Sequence, residues 1–227
     1  MRLCKGLPSL RRRREHAALL EAFAAASGSE GFRLVHYSAQ GNHLHLLCEA
    51  RERRELSCGL QGLAIRMAKK LNRLWSRGGK VFADRYHDRI LRSPLEVRRA
   101  LAYVLNNWRK HGIAHRRDRP DPCSSGRWFA GWRGWAGARE AESPLARART
   151  WLLSVGWLRH GRVRLDEIPA GRRAACTARA RCGPESAVLT HSKSRSAGNR
   201  GGLDPLTRLS ALTRSRASPA SVPRPPR

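Results

Sequence analysis

The sequence predicts an α+β fold, in which an antiparallel sheet is covered by amphipathic helices. Two segments with strand character lie only a short turn apart, at 32–38 and 43–50. A long segment at 55–75 has apolar residues every three or four positions, and Ser93-Pro94 is a strong helix start. Strands joined by a tight turn pair antiparallel, whereas spacings of three and four are typical of helices.

The first thirty residues predict a strand and a helix. Residues 1–7 have the length of only half a strand, and we expect this first strand to be truncated. Pro8 and Ser9 open the helix, which carries a basic cluster at its start. A run of serine and glycine at 27–31 ends it.

The remaining elements complete a recognisable order. The helix at 55–75 ends at Gly78-Gly79, and the segment 80–92 contains two predicted strand ends. Ser93 as N-cap, Pro94 and a capping-box glutamate start a helix that we expect to run to about Lys110. The order of strand, helix, strand, strand, helix, strand, helix predicts a ferredoxin-like sandwich, an antiparallel sheet with helices on one face.

Composition divides the chain into three parts. Residues 1–112 form the predicted sandwich, and 113–170 form an appendage rich in tryptophan and arginine. Residues 171–227 contain no Phe, Tyr or Trp and carry twelve Lys/Arg against two acidic residues. Such a segment buries too little apolar surface to offset its ordering entropy, so we expect a disordered basic tail.

The charge of the chain indicates a polyanionic partner. Lysine and arginine total 46 against 17 acidic residues, a net charge of +29, and nucleic acid is the usual partner of such a protein. No apolar run is long enough to span a membrane, and we expect no signal peptide. The six cysteines have no CxxC spacing, which favours a reducing, cytoplasmic location, here near the nucleoid.

Two histidines are the strongest candidates for a metal site. His43 and His45 are separated by one residue in a strand, so they share one sheet face about 7 Å apart. Two half-buried structural histidines are the usual alternative, but the Gly41-Asn42 turn and the basic chain favour a metal. Imidazole suits Mn²⁺ and tolerates Mg²⁺ when oxygen ligands complete the shell. His36, in the adjacent strand, is a possible further ligand.

A helical tyrosine is the candidate nucleophile. Tyr103 and Asn107 stand one turn apart on one helix face, and the amide oxygen of Asn107 can join the metal. Asn106 points about 100° away and is the poorer candidate. A core aromatic is the alternative for Tyr103, and Tyr86 is the rival nucleophile.

These residue types together suit cleavage of a phosphodiester. A divalent cation offsets the charge of the phosphate, and the tyrosine oxygen attacks phosphorus to give a phosphotyrosine and a free 3′ hydroxyl. The covalent link keeps the reaction reversible, so strands can be rejoined without ATP. The predicted phosphate contacts are Arg11, Arg12, Arg13, Lys69, Lys70, Arg73 and Arg85.

Three ordered segments resemble one family. Asn42–Leu47, Phe82–Asp88 and Tyr103–Asn107 are similar to motifs of the single-tyrosine HUH transposases of bacterial insertion sequences, above all the REP-associated tyrosine transposase branch. The resemblance covers residues 1–112. It implies an HUH endonuclease fold, a Mg²⁺ or Mn²⁺ cofactor, and cleavage of single-stranded or hairpin DNA by a monomer or homodimer. It matches His43 and His45 to the metal ligands and Tyr103 to the nucleophile.

Two other functions stay open at this point. A catalytically inactive or domesticated DNA-binding remnant of such a transposase has the same charge and fold. An RNA-binding module also uses this sandwich, but it displays aromatic residues on the sheet face where this chain has histidines. We therefore expect a DNA transposase that forms a 5′-phosphotyrosine intermediate.

Overall fold

An antiparallel sheet covered on both faces forms the centre of the protein, in a computed structural model that describes residues 1–26, 31–83, 86–111, 118–135, 142–167 and 187–191. In chain order the helices and strands are α1 (Arg13–Ala24), β1 (Phe32–Ala39), β2 (Leu44–Ala50), α2 (Arg53–Leu74), β3 (Asp88–Leu91), α3 (Pro94–Leu105), β4 (Trp132–Arg133), α4 (Trp151–Ser154), β5 (Val163–Arg164) and β6 (Ala187–His191). The described residues also form 3-10 helices at Asn107–His111, Ser125–Trp128 and Gly156–His160. The fold is α+β, as the sequence predicts.

The main sheet has the strand order β1-β2-β6-β3, with antiparallel pairing throughout. The β1–β2 hairpin pairs Ala39 with Leu44 and Phe32 with Ala50. The first residues of the chain add isolated antiparallel bridges from Arg2 to His43 and from Leu3 to Phe82. The N-terminal segment therefore lies on the edge of β2 that faces away from β1.

Strand β6 corrects the prediction of a wholly disordered tail. It pairs with β2 from Leu47↔Thr190 to Ala50↔Ala187 and with β3 from Asp88↔His191 to Leu91↔Val188. The segment 187–191 has no Lys, Arg, Asp or Glu, and both of its edges find backbone partners, which removes the cost of unpaired amides. The rest of the predicted tail lies outside the described residues.

The helices cover both faces of the sheet, so the prediction that they share one face is wrong. Helices α1 and α2 pack with Leu44, Leu46 and Cys48 of β2, whereas α3 packs with Leu47 of the same strand. Since neighbouring strand residues point to opposite sides, these are two cores separated by the sheet. The physical reason is that every residue of β2 is buried, so Leu47 on its second face also needs a covering helix.

Helix α3 begins at the predicted Ser93-Pro94 but ends earlier, and the Glu96 carboxylate accepts from the backbone N–H of Arg92 rather than completing a capping box with Ser93. Ser93 Oγ accepts a hydrogen bond from the backbone N–H of Glu96 at 3.3 Å, with Pro94 as the first helical residue. The α-helix stops at Leu105, and a 3-10 helix, Asn107–His111, continues the chain. Tyr103 and Asn107 therefore lie on either side of this junction.

The tryptophan-rich appendage covers α3. Phe129, Trp132, Leu153 and Trp157 join the core formed by α3 and Leu47. This packing belongs to one unit that spans Met1–Ser194. Within the described ranges, no helix has the length and apolar character needed to cross a membrane.

Candidate active site

Strand β2 directs two histidines to the face that α3 covers. His43 and His45 have the same parity as Leu47, which belongs to the α3 core, so their imidazoles lie on that side. Both are buried, with 5% and 1% of their surface exposed. His45 pairs across the hairpin with Ser38, and His43 with Arg2. The neighbouring strands therefore hold both histidine backbones.

The two imidazoles converge through their Nε2 atoms, which are 3.1 Å apart. The rings are nearly perpendicular, at 86°, with centroids 4.8 Å apart. The Nδ1 of His43 lies 2.9 Å from the side-chain oxygen of Asn42. Because an amide oxygen only accepts, Nδ1 of His43 carries the hydrogen and Nε2 presents its lone pair. His43 thus has the tautomer that a metal ligand requires, whereas Nε2 of His45 donates the hydrogen of the contact between the rings and has to release it before it can bind a cation.

The separation of the two nitrogens suits a shared cation. For two ligands about 2.1 Å from one metal, 3.1 Å corresponds to an angle of about 95° at the metal, close to octahedral geometry. In the described part of the chain, no three His, Cys, Asp or Glu side chains gather into a metal site. Within those ranges, any further ligand is therefore an amide, water or substrate oxygen.

Tyr103 reaches the same site from α3. Its ring and the imidazole of His45 meet edge to face, with centroids 5.2 Å apart and planes at 90°. The side chain is only partly buried, unlike its neighbours Ala102 and Val104. The structure therefore places the predicted nucleophile against a predicted metal ligand, with part of its surface open to solvent.

Asn107 is a buried amide one turn after Tyr103. It is 1% exposed, and neither its Oδ1 nor its Nδ2 has a hydrogen-bond partner among the described residues. An unsatisfied buried amide is costly and calls for an explanation such as an ion or water. Asn106 is occupied instead: its Nδ2 donates to the carbonyl of Arg164 at 2.9 Å. This contrast favours Asn107 as the third ligand.

His36 has other partners on the sheet face of the histidine pair, and Tyr86 lies on the opposite face. The Nδ1 of His36 is 3.1 Å from Ser125 Oγ, and its ring meets Phe129 edge to face. Burial lowers the pKa of His36 to about 4, which keeps it neutral. Tyr86 packs against the α1/α2 core, on the other face of the sheet. Its position removes it as a rival to Tyr103.

Arg11 has a structural role rather than the predicted phosphate contact. Its guanidinium makes two hydrogen bonds of 2.7 Å with the carboxylate of Asp121 and a third, of 2.9 Å, with the carbonyl of Ala39. The side chain of Asp121 is fully buried and that of Arg11 is 15% exposed. The ion pair joins residues 110 positions apart, and a local charge pattern could not have revealed it.

The other predicted basic contacts lie on α1, α2 or the residue before α1, so they belong to the sheet face opposite the histidines. Arg12, Arg13, Lys69 and Arg73 are exposed there, and Lys70 forms an ion pair with Glu21 at 2.6 Å. Arg85 lies outside the described residues. These side chains are available to solvent but do not line the site around Tyr103.

One residue of the site was not singled out from the sequence. The sequence predicts only a turn at Asn42, yet its side chain sets the tautomer of His43. The available signal was its position directly before a candidate metal ligand, since such histidines commonly hydrogen-bond an oxygen through the second ring nitrogen. No family model, curated protein or solved structure matches this chain.

Proposed function

We propose that this protein is a DNA strand transferase, a transposase of the single-tyrosine HUH type, close to the REP-associated branch. The observation that carries the proposal is the contact between Tyr103 and His45, whose ring centroids are 5.2 Å apart. It joins a partly exposed phenol to a buried pair of imidazoles. Those are the groups that a metal-assisted attack on a phosphodiester requires.

The pairing of the first residues supports a ferredoxin-like sandwich. Leu3 N donates to the carbonyl of Asn42 at 2.8 Å, and Cys4 N to that of Val81 at 2.9 Å. Segment 1–4 thus lies between the start of β2 and residues 81–83. This order is that of a βαββαβ unit in which the first strand lies between the third and the fourth.

The donor set fits Mg²⁺ or Mn²⁺. His43 and His45 supply two converging nitrogens, and the unsatisfied amide of Asn107 supplies an oxygen. A hard or borderline cation accepts this mixture when water or phosphate oxygens complete its shell. When bound, the ion withdraws charge from a non-bridging phosphate oxygen and orients the phosphorus for in-line attack.

The protein's own residues supply the nucleophile and its position. The hydroxyl of Tyr103 loses its proton as its oxygen bonds to phosphorus, and the bond from phosphorus to the 3′ oxygen breaks. The departing 3′ oxygen takes up a proton, and the 5′ phosphate stays on the tyrosine. Attack by a 3′ hydroxyl on this phosphotyrosine restores the strand, so the same residues cut and rejoin DNA.

The charge of the chain supports DNA as the partner. A net charge of +29 favours release of counterions from a polyanion, so affinity for DNA should fall steeply with salt. We propose single-stranded or hairpin DNA as substrate, a monomer or homodimer as the active form, and a cytoplasmic location near the nucleoid. A catalytically inactive DNA-binding remnant is the second candidate, because no third His, Cys, Asp or Glu joins the two imidazoles in the described ranges.

A covalent adduct tests the proposal. Full-length protein is mixed with Mn²⁺ and a library of single strands that carry a hairpin flanked by randomised bases, labelled at either the 5′ or the 3′ end. We expect a denaturation-resistant adduct that retains only the 3′ label, because the 5′ phosphate of the downstream fragment joins the tyrosine. Loss of the adduct in His45→Ala would tie the reaction to the histidine pair.

Two tyrosine variants provide the matched control. Tyr103→Phe should abolish the adduct, whereas Tyr86→Phe, on the opposite sheet face, should retain it. An adduct that persists in Tyr103→Phe would remove this residue as the nucleophile. Wild-type protein that binds the library but forms no adduct with Mg²⁺ or Mn²⁺ would favour the inactive remnant.

A further inference from the structure

The far end of β2 carries a buried carboxylate that organises the appendage. Glu49 is 2% exposed and accepts hydrogen bonds from the backbone N–H groups of Arg149 and Thr150, both at 2.9 Å. The hydroxyl of Thr150 donates a third bond at 2.6 Å. These bonds hold the segment before α4 against the sheet, and they fix the backbone of Arg149 beside Glu49.

A half-open cavity of about 160 Å³ lies beside this contact, and three arginines line it. Arg33 comes from β1, Arg51 from the end of β2 and Arg149 from the segment that Glu49 holds. Arginines from three separate parts of the chain thus line one opening. An arginine is well suited to phosphate because its planar fork donates two parallel hydrogen bonds.

The guanidinium groups are available to a ligand. Those of Arg33 and Arg149 have no hydrogen bond or ion pair among the described residues, and Arg51 makes only a long contact of 3.9 Å with Glu55 while 71% of its side chain is exposed. The carboxylate of Glu49 is already engaged by three donors. Three cations therefore face two carboxylates, and the cavity keeps a net positive charge.

The cavity lies on the same strand face as the candidate active site. Glu49 points to the same side of β2 as His45, and the two lie four residue steps, or about 14 Å, apart along the strand. Helix α3 covers Leu47 between the two sites, so about 14 Å is the shortest separation, and a strand that passes around the helix spans it with about four or more stacked nucleotides. A single strand with one phosphate at Tyr103 therefore has the length to place another phosphate at this cavity.

We infer that Arg33, Arg51 and Arg149 bind a backbone phosphate of the single-stranded substrate, a few nucleotides from the phosphate that Tyr103 attacks. This inference rests on the proposed function for the identity of the strand. The three arginines position the DNA and take no part in bond making. Their contact also sets the register of cleavage, because it fixes how much strand separates the two phosphates.

A phosphate-by-phosphate scan tests this inference in the Tyr103→Phe background, where binding is measured without cleavage. Each phosphate of a bound hairpin oligonucleotide is replaced in turn by an uncharged methylphosphonate, and affinity is measured by fluorescence anisotropy. We expect Arg51→Gln and Arg149→Gln each to weaken binding of the unmodified strand about fivefold to tenfold and to lower the salt slope by about one. Arg147→Gln, an exposed neighbour outside the cavity, should change neither.

Coupling between a variant and one methylphosphonate decides the outcome. At one position in the strand, the methylphosphonate should lower the affinity of the parent protein but cause no further loss in Arg149→Gln. The reason is that the arginine and this phosphate form a single contact, which either change removes. Purely additive losses at every position would overturn the inference, as would inorganic phosphate that binds the cavity without any such coupling. Failure of the proposed function is a separate result: coupling would persist while the wild type forms no adduct.

Discussion

The amino group of Met1 is buried inside the sheet, and charging it should loosen the segment that holds His43. Met1 is 4% exposed; its amino group donates to the carbonyl of Leu44 at 3.0 Å, and its own carbonyl accepts from Leu44 N at 2.8 Å. Burial lowers the pKa of this amino group from 8.0 to about 4. Acetylation of the Met1 amino group keeps an N–H donor for the carbonyl of Leu44 but leaves no group that can take up a proton.

The direction of the pH effect follows from the two pKa values. The folded amine stays neutral above about pH 4, whereas the unfolded amine takes up a proton below pH 8. The unfolded state therefore binds more protons between pH 8 and about 4, and the free energy of unfolding falls as pH falls through this window. The loss is about 1.4 kcal/mol per pH unit, or about 3 kcal/mol at pH 6.

Urea unfolding of the free and acetylated proteins measures this effect. At about pH 8.5 the two forms should differ only by any steric cost of the acetyl group. At about pH 6 the acetylated form should have gained about 3 kcal/mol relative to the free form. A difference that does not change with pH would contradict this prediction, because it would mean that water reaches the amine in the folded state.

Three further predictions concern buried polar groups. Asn107→Leu should not destabilise the protein, because it removes an unsatisfied buried amide. It should abolish any rise in melting temperature when Mn²⁺ is added. A rise equal to that of the wild type would exclude Asn107 as a ligand. Asp121→Asn should cost about 3–5 kcal/mol in urea unfolding, since Arg11 stays buried without its partner, whereas a loss below about 1 kcal/mol would mean that water replaces the carboxylate. His36 has a folded pKa of about 4, so stability should fall by about 3 kcal/mol as pH drops from 6.5 to 4, and His36→Leu should remove that part of the acid sensitivity if the ring is the group that titrates.

Local elements of this fold follow from local patterns. The leucines of α2 recur at helical spacing because one stripe of that helix faces the core, and all five of its buried side chains belong to that stripe. Ser93 and Pro94 set the start of α3 through backbone chemistry that involves only neighbouring residues. The spacing of His43 and His45 predicted their shared sheet face, whereas the predicted single helix for Tyr103 and Asn107 ends at Leu105, before Asn107.

Contacts between distant segments could not be derived from such patterns. The sequence of β2 has apolar residues on both faces of the strand, so it is compatible with helices on both sides of the sheet. It does not indicate which helix covers the second face. The pairing of Arg11 with Asp121 and of Glu49 with Thr150 depends on how the appendage packs. Strand β6 pairs with a strand more than a hundred residues away. The average composition of 171–227 is strongly basic, and it hides the five residues of β6, which include no Lys, Arg, Asp or Glu.

The position of β6 has a consequence for synthesis of the protein. Residues 1–4 cover only the beginning of the outer edge of β2, and the remainder is covered by a segment that ends at His191. At translation rates of about 5–20 residues per second, this edge stays bare for on the order of ten seconds after β2 leaves the ribosome. A nascent chain with an open strand edge is a target for chaperones and for self-association, so slower translation of the second half should lower the yield of native protein.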